Sequence, residues 1–341
     1  MNHLICQKYY RIAPLRKTWN RICANNNQIK PTQYFDYYYH LFSSFYCNPK
    51  KVIRWRFVFY YISDGNNECI IPFIENRKKK IIRGVSNYGR LDYEDILAST
   101  NSVLFIQESL QTVFVNYLDY RIDIKNINED SLYFSAWGDS MVFHENCVKI
   151  QLPDNYDDYI ESLSKHQRQN IRTAYNKLDK GRIHIEVIKY DNNNQINRRL
   201  WNTCEKLYEK RHDSGDSLLS KWYIRFTNPY HYILSKGDNY RIMVLLHNNV
   251  PLAYMAGLID LNNKCFYIPR LCINEDYLRF SPGIILIVET IKSLIEEGIS
   301  YLDLMQGDEQ YKLAMGGIIN KNYSLKCHVE VLFHNVYTCF N

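Results

Sequence analysis

The chain has ten cysteines, but no two stand at the Cys-x-x-Cys spacing of a zinc or redox site. Cys6, Cys23, Cys47, Cys69, Cys147, Cys204, Cys265, Cys272, Cys327 and Cys339 are scattered and read as buried thiols of a reducing compartment. Histidine is equally unpatterned: His166, His184, His212 and His247 have no ligand spacing, so no metal is expected. No apolar run approaches the ~18 residues of a membrane span. Met1 to Lys17 contains no apolar signal-peptide core, so a soluble, cytoplasmic protein is expected. Basic charge is not concentrated either. The formal net charge is +6, and its one short run is Arg77-Lys78-Lys79-Lys80. That argues against a nucleic-acid partner and is compatible with a small anionic ligand.

What remains is a chain built for packed cores. Of its 341 residues, 46% are hydrophobic and 23% charged, which suits two domains rather than one. Tyrosine, with 30 copies, is abundant enough to serve both core and ligand contacts. An internal repeat organises the sequence. Arg56 to Ile74 reads as strand, polar turn with Asp64-Gly65, and strand; Arg241 to Ile259 does the same. In the first half a short strand (Lys80 to Val85), a loop, a helix (Val103 to Leu118) and a strand (Tyr120 to Ile124) follow. In the second half come a strand (Lys264 to Ile273), a loop, a helix (Gly283 to Glu297) and a strand (Ile299 to Met305). Both halves thus read β-β-β-loop-α-β, a duplicated domain with a join near Asn146 to Asp154. The division expected is 1–146 and 147–341.

The second half opens on a strand (Cys147 to Leu152) and one long helix, about Tyr156 to Asp179, with Gly181 as its stop. Lys165, Arg168 and Arg172 form a basic stripe on it, and Gln167 interrupts its apolar face. The most informative stretch is Phe280-Ser281-Pro282-Gly283-Ile284-Ile285-Leu286. Serine is a favoured N-cap and proline a favoured first helical residue. Gly283 lets a ligand approach the backbone, and the amides of a helix start bind phosphate. The matching loop of the first half, 86–100, lacks this sequence.

A second signal follows the next strand, in Asp303-Leu304-Met305-Gln306-Gly307-Asp308-Glu309-Gln310-Tyr311-Lys312. Asp303 is a carboxylate on a strand face, which needs a partner. A Tyr311 hydroxyl could protonate a leaving thiolate, and Lys312 could hold a phosphate or carboxylate.

Three features together resemble the GNAT acyltransferase superfamily, in its cellulose-biosynthesis-type (CelD/BcsL-like) branch, which is related to the Fem-type peptidyltransferases. They are the basic helix Leu163 to Arg172, Ser281-Pro282-Gly283, and Gly307-Asp308-x-x-Tyr311-Lys312. The resemblance covers nearly the whole chain, with its specific motifs in the second half. The usual Gln/Arg-x-x-Gly-x-Gly/Ala loop is absent, and Arg279 to Gly283 stands in its place.

The resemblance implies a mixed α+β fold of two tandem GNAT-like half-domains, each a mostly antiparallel sheet flanked by helices. It implies acetyl-CoA or another acyl-CoA as co-substrate, lying against the Lys264–Ile273 strand. Tyr267, Ile268 and Arg270 would line it, Ser281, Gly283, Ile284 and Ile285 would meet its pyrophosphate, and Pro269 fits a bulge. The acceptor is expected to attack the thioester in a ternary complex, with Tyr311 protonating the thiolate and Asp303, Asp308 or Glu309 as base. Lys165, Arg168 and Arg172 are expected to bind the acceptor, a sugar or amino sugar of polysaccharide or envelope biosynthesis. The first half is expected to carry no cofactor and to help shape the acceptor groove. Peripheral association with envelope-biosynthesis machinery is a further expectation. Two other readings stay open: a non-catalytic scaffold, and a Fem-type aminoacyl-tRNA-dependent transferase.

Overall fold

The computed structural model describes residues 4–47, 49–88, 91–211 and 239–338. Asp213 to Asp216, which by sequence break a helix read over Arg198 to Arg211, lie outside them, as do Gly89, Arg90, His212 and Cys339. The chain divides into two compact units, residues 1–146 with 320–341, and residues 147–319. The final residues, expected in the second half, therefore belong with the first. Their strand pairs with a strand of that unit, as follows.

The first unit contains β1 (Ile5–Tyr9), α1 (Arg16–Asn25), α2 (Phe35–Tyr46), α3 (Pro49–Val52), β2 (Arg56–Ser63), β3 (Glu68–Asn76), β4 (Ile81–Arg83), β5 (Leu97–Ala98), α4 (Val103–Phe114), β6 (Arg121–Asn128) and α5 (Leu132–Trp137). Its sheet runs β1-β2-β3-β4-β6. Alternation along β2 sorts the core between two faces. Val58, Tyr60 and Ile62 meet Phe105, Ile106, Leu110 and Phe114 of α4. Phe57 and Phe59 point the other way: Phe59 meets Trp19 of α1 at 6.2 Å, and Phe57 meets Phe45 of α2 at 5.0 Å.

The second unit is built from β7 (Val142–Gln151, entering from the first), α6 (Tyr156–Ser162), α7 (Lys165–Gly181), β8 (Glu186–Tyr190), α8 (Arg198–Arg211), β9 (Tyr240–His247), β10 (Val250–Asp260), β11 (Cys265–Ile273), α9 (Pro282–Glu296), β12 (Tyr301–Gln306) and α10 (Gln310–Ala314). After it come β13 (Gly317–His328) and α11 (Val329–Thr338). Between Asn322 and His328, β13 pairs antiparallel with β6, which ties the tail to the first unit. In the second unit the strand order is β7-β12-β11-β10-β9-β8. Met243, Leu245, Met255 and Phe266 pack with Ile285, Val288 and Ile291 of α9 and Ile171 and Ala174 of α7. On the opposite face Ile242, Val244, Tyr254 and Cys272 pack with Trp201 and Cys204 of α8.

The repeat is visible in the pairing. In each unit two antiparallel pairs lead to a parallel one: β2/β3, β3/β4 and β4/β6, then β9/β10, β10/β11 and β11/β12. Each parallel ladder is three residues long, Ile81–Arg83 with Arg121–Asp123 and Cys265–Tyr267 with Tyr301–Asp303. Beyond it the units differ. In the first, the chain's own residues lie next to β6 and β3. Glu94 bridges Ile127 of β6, and Leu97–Ala98 pairs with Ile70 and Cys69 of β3. In the second, β11 runs on to Ile273 without pairing to β12.

The one long helix expected over 156–179 is two. The backbone is extended at Leu163 and Ser164, and the Ser164 side chain accepts from the Gln167 amide at 3.1 Å, starting a new helix. That helix runs two residues further than expected and ends with Arg182 in the left-handed region, φ 53°. A Cβ on Gly181 would stand 2.5 Å from the Phe280 ring, so glycine serves close packing there.

Candidate active site

Where β11 parts from β12, a bulge turns the strand. Ala256 of β10 pairs with Arg270 and Leu258 with Tyr267, so Gly257 faces two residues, Ile268 and Pro269. This is the irregularity that Pro269 led one to expect, because proline has no amide to give to a ladder. The second half of β11 then borders a cleft of about 560 Å³ within the second unit. Leu271 and Ile273 form one wall, Ser281 to Ile284 and Ile287 of α9 a second, and Gln310, Tyr311 and Ala314 of α10 a third. His166, Gln167 and Asn170 from the first turns of α7 close it.

The start of α9 differs in detail from the sequence expectation. Ser281 is the N-cap residue, but it lies in the left-handed region (φ 55°) and its side chain makes no capping bond. Its carbonyl instead accepts from the amides of Ile284 at 3.1 Å and Ile285 at 3.4 Å. Proline has no N–H, so of the expected phosphate-binding amides only that of Gly283 has no partner among the described residues. Gly283 is buried, and a Cβ there would stand 2.6 Å from Ile273 Cδ1. The side chain of Ile285 is fully buried in the core and reaches no ligand.

The segment after β12 is a structural turn that carries a tyrosine. Met305 takes a left-handed φ of 59°, rare for a side chain of its kind, and its amide donates to Asp303 Oδ1 at 2.8 Å. Gly307 follows at φ 94°, which glycine alone adopts freely. Lys312 Nζ donates to the carbonyls of Gln306 (2.6 Å) and Gly307 (3.1 Å) and pairs with Glu309 at 2.9 Å. Asp303 and Lys312 are each almost fully buried. These bonds hold the turn, so neither residue stands in the cleft as base or phosphate ligand. Asp308 is exposed and not part of the lining. Tyr311, next along α10, does line it, with 40% of its surface exposed.

Two further residues of the expected cofactor strand are committed elsewhere. Arg270 is 3% exposed; its Nη1 donates to Glu205 Oε1 of α8 at 2.5 Å, and its guanidinium lies 4.0 Å from the Tyr208 ring centre. Pairing with a carboxylate inside the protein is what a buried guanidinium requires. Tyr267 and Ile268 are buried as well. Desolvation, with Cys265 and Asp303 nearby, pushes the Tyr267 hydroxyl far above its ordinary range.

The basic stripe is partly structural. Arg168 Nη1 donates to the carbonyls of Glu161 and Leu163, both at 2.9 Å, closing the end of α6. Lys165, His166, Arg168, Gln169 and Arg172 line a separate groove of about 620 Å³, and His166 belongs to both groove and cleft. His166, Gln167 and Asn170 were not singled out as site residues from the sequence. One signal pointed there: Gln167 interrupts an apolar stripe, and it does so because its Nε2 donates to Met315 Sδ at 3.0 Å across the cleft floor. Among the lining residues, His166 and Tyr311 are the titratable ones.

Comparison with known proteins places this geometry in a class. Residues 165–313, from the first residue of α7 into α10, match the family described as acetyltransferase (GNAT) domain. The match falls inside the second unit, residues 147–319, of a mixed α/β chain. The narrower cellulose-biosynthesis branch is not what the match specifies. No curated protein sequence matches the chain. Among solved structures, the C-terminal domain of a putative lysylphosphatidylglycerol synthetase from Agrobacterium fabrum superposes with a TM-score of 0.57 at 10% identity, over 96% of both chains. A conserved protein of unknown function from Bacteroides thetaiotaomicron gives 0.56 at 10% identity, over 94% of this chain and 99% of that one. FemX gives 0.55 at 9% identity, over 94% of this chain and 98% of its own. At these identities the likeness is one of fold. Among the described residues no helix is long and apolar enough to cross a membrane, and no cluster of three or more His, Cys, Asp or Glu could hold a metal.

Proposed function

We propose that the second unit transfers an acyl group, acetyl in the simplest case, from acyl-CoA to an amine or hydroxyl. The acceptor is a sugar or amino sugar of polysaccharide or envelope biosynthesis. The observation that carries this reading is the divergence of β11 from β12 beside the cleft, with the buried Gly283 amide at its wall. The strand edge left by β11 suits an extended amide-bearing arm, and the α9 start suits a pyrophosphate. The residues fit acyl-CoA at one amide rather than three.

The donor thioester lies along β11, where backbone amides near the bulge at Ile268 and Pro269 face the developing oxyanion. The acceptor nitrogen or oxygen attacks the carbonyl carbon, the new bond forms and the C–S bond breaks. Tyr311 gives its proton to the departing thiolate. His166 takes the acceptor's proton, a role that matters most for a hydroxyl. The first unit takes no cofactor in this reading, because residues 94–98 already lie alongside β6 and β3 there.

The test is a melting-temperature titration with acetyl-CoA. Wild type should gain several degrees at saturation by mass action. Gly283→Asp should gain none, because its carboxylate meets the pyrophosphate. Gly283→Ala presents the same Cβ to Ile273 without the charge and separates crowding from repulsion. Absence of any wild-type shift with acetyl-CoA or a longer acyl-CoA would sink the reading. The fold shared with FemX over nearly the full length favours a second reading, a Fem-type transferase using aminoacyl-tRNA. It predicts no shift with acetyl-CoA and acyl transfer from charged tRNA.

A further inference from the structure

The first unit holds a pocket of its own, about 610 Å³ in volume, lined from β1, β2, β3 and the C-terminal end of α4. Its floor is Glu75, whose side chain is 1% exposed. Three groups converge on that carboxylate. Arg77 Nε donates to Oε1 at 2.9 Å, and the Tyr117 hydroxyl donates to Oε2 at 3.1 Å. Lys8 Nζ lies 3.6 Å from Oε2 and donates to the Tyr117 oxygen at 2.7 Å. The same ammonium stands 5.2, 5.3 and 5.1 Å from the ring centres of Tyr10, Tyr60 and Tyr117. Arg56 lies 5.0 Å from the Tyr10 ring centre. Desolvation opposes the charge on Lys8, but Tyr10 and Glu75 outweigh it and raise its pKa above the ordinary value. Three cations thus gather round one carboxylate, and among the described residues no second carboxylate pairs with any of them.

The second unit builds the same edge differently. Lys189 stands in register with Met243 as Lys8 does with Tyr60, and it meets Glu297, just past the end of α9, at 3.2 Å. Ile259, a core residue, occupies the place of Glu75: each lies one pair before the end of its hairpin ladder, Ile259 with Phe266 and Glu75 with Ile82. Four residues ahead of the parallel ladder, where the second unit has Glu297, the first has Tyr117. The first unit has therefore moved its carboxylate from the helix end to the sheet. The helix end supplies Thr112, Asn116, Tyr117 and Tyr120 as pocket wall instead. The shared fold does not require a carboxylate on this strand, and a pocket of this size falls among ligand sites of roughly 300–1,000 Å³.

The groups on offer define the ligand. Arg77 spends Nε on Glu75 and Nη2 on Tyr10, at 2.5 Å, and Lys8 spends one hydrogen on Tyr117. An Nη1 edge and ammonium hydrogens are left, which suit the two oxygens of a carboxylate. A phosphate dianion suits them less: Glu75 repels it, and so does the negative carbonyl end of α4. Asn116 Nδ2 donates to the carbonyls of Thr112 at 3.3 Å and Val113 at 3.2 Å, so its oxygen is left to accept. The Thr112 hydroxyl donates to the Glu108 carbonyl at 2.8 Å and likewise keeps its acceptor capacity. Such acceptors call for hydroxyl groups. We infer that this pocket binds a small hydroxylated carboxylate of the sugar-acid class, its carboxylate on Lys8 and Arg77 and its hydroxyls on Asn116 and Thr112. The site shares no residue with the acyl-transfer cleft and stands or falls apart from that reading.

The experiment is calorimetric titration of the whole protein with D-glucuronate, beside D-glucose, acetate and inorganic phosphate at equal ionic strength and at a pH where phosphate is a dianion. Glucose lacks the charge, acetate lacks the hydroxyls, and phosphate has the wrong charge and shape. Wild type should bind glucuronate at least tenfold more tightly than any of the three. Arg77→Gln and Asn116→Asp should each weaken glucuronate binding at least tenfold, the first by removing a donor and the second by adding a like charge. Gly283→Asp, in the second unit, should leave it unchanged. Asn116 is exposed, so Asn116→Asp should melt with wild type even if the loss of Arg77 unsettles the buried Glu75. No binding of glucuronate by wild type at millimolar concentration would overturn the assignment. So would equal binding of any comparison ligand, undiminished binding by folded Asn116→Asp, or loss of binding in Gly283→Asp.

Discussion

Gly257 lies so close to the backbone of Tyr267 that a Cβ on it would stand 1.8 Å from the Tyr267 carbonyl oxygen. The contact is set by the bulge, where one residue of β10 faces two of β11. The same bulge directs the second half of β11, with Leu271 and Ile273, toward the cleft. Gly257→Ala therefore cannot be absorbed by a side-chain shift, because the obstacle is backbone. It should cost about 1–3 kcal/mol of stability in urea denaturation. It should also weaken acetyl-CoA binding by more than that stability loss explains. Unchanged stability would mean the two strands can slide apart freely.

Arg270 and Glu205 make a separate prediction about stability alone. Both are almost completely buried, and each neutralises the other. Arg270→Ala leaves a buried carboxylate with its main partner gone, and should cost about 3–5 kcal/mol. Removing both charges, as Arg270→Leu with Glu205→Leu, should recover much of it. Thermal melts of the three variants check this, and a single variant as stable as wild type would refute the role given to the pair.

Burial in the first unit makes its stability depend on pH. Glu94 is enclosed among Tyr38, Tyr133 and Asp95, and desolvation lifts its carboxyl from 4.5 to about 8. Desolvation likewise lifts Asp95 to about 7, against the pull of Lys30. A carboxyl whose folded pKa exceeds its unfolded one keeps a proton that the unfolded chain has released. Its contribution is full below about pH 4 and is lost as pH rises through about 7 to 8. Stability by urea denaturation should therefore fall between pH 5 and pH 8.5. Glu94→Gln should flatten that slope and be the more stable protein at pH 8.5. An identical slope in the variant would place the ionisation elsewhere.

Tyr311 is the test of chemistry. Tyr311→Phe removes one hydroxyl from a half-exposed position, so folding should be unaffected. Acetyl-CoA binding should change less than threefold, while kcat falls by about 100-fold or more if the phenol protonates the thiolate. The loss should shrink with an acyl donor whose thiol is more acidic. A kcat within twofold of wild type would remove Tyr311 from the mechanism.

Much of the second unit could be read in advance because its signals are local. The apolar runs of β9 and β10 with the polar turn between them, the amphipathic pattern of α9 and its proline start depend on neighbours in sequence, and they appear within a residue or two of where they are expected. Pro269 announced its bulge for the same reason, since a missing amide interrupts any ladder. The Ser164 cap was less visible. Its hydroxyl had to be recognised as ending one helix and starting another inside an otherwise continuous pattern.

The sequence by itself determined the duplicated β-β-β-loop-α-β order and the residue types gathered after each central strand. Hydrophobic period and turn chemistry act over a few residues. Only the tertiary structure decided what the charged residues do. Lys312, Asp303 and Arg270 look like site residues in a linear reading. Burial instead obliges each to spend its hydrogen bonds on the protein, on a turn or on a buried partner. The pairing of β13 with β6 and the place of residues 94–98 were equally beyond the sequence. Contacts between residues roughly 200 positions apart, as in Asn128 with Asn322, leave no periodic trace in the chain.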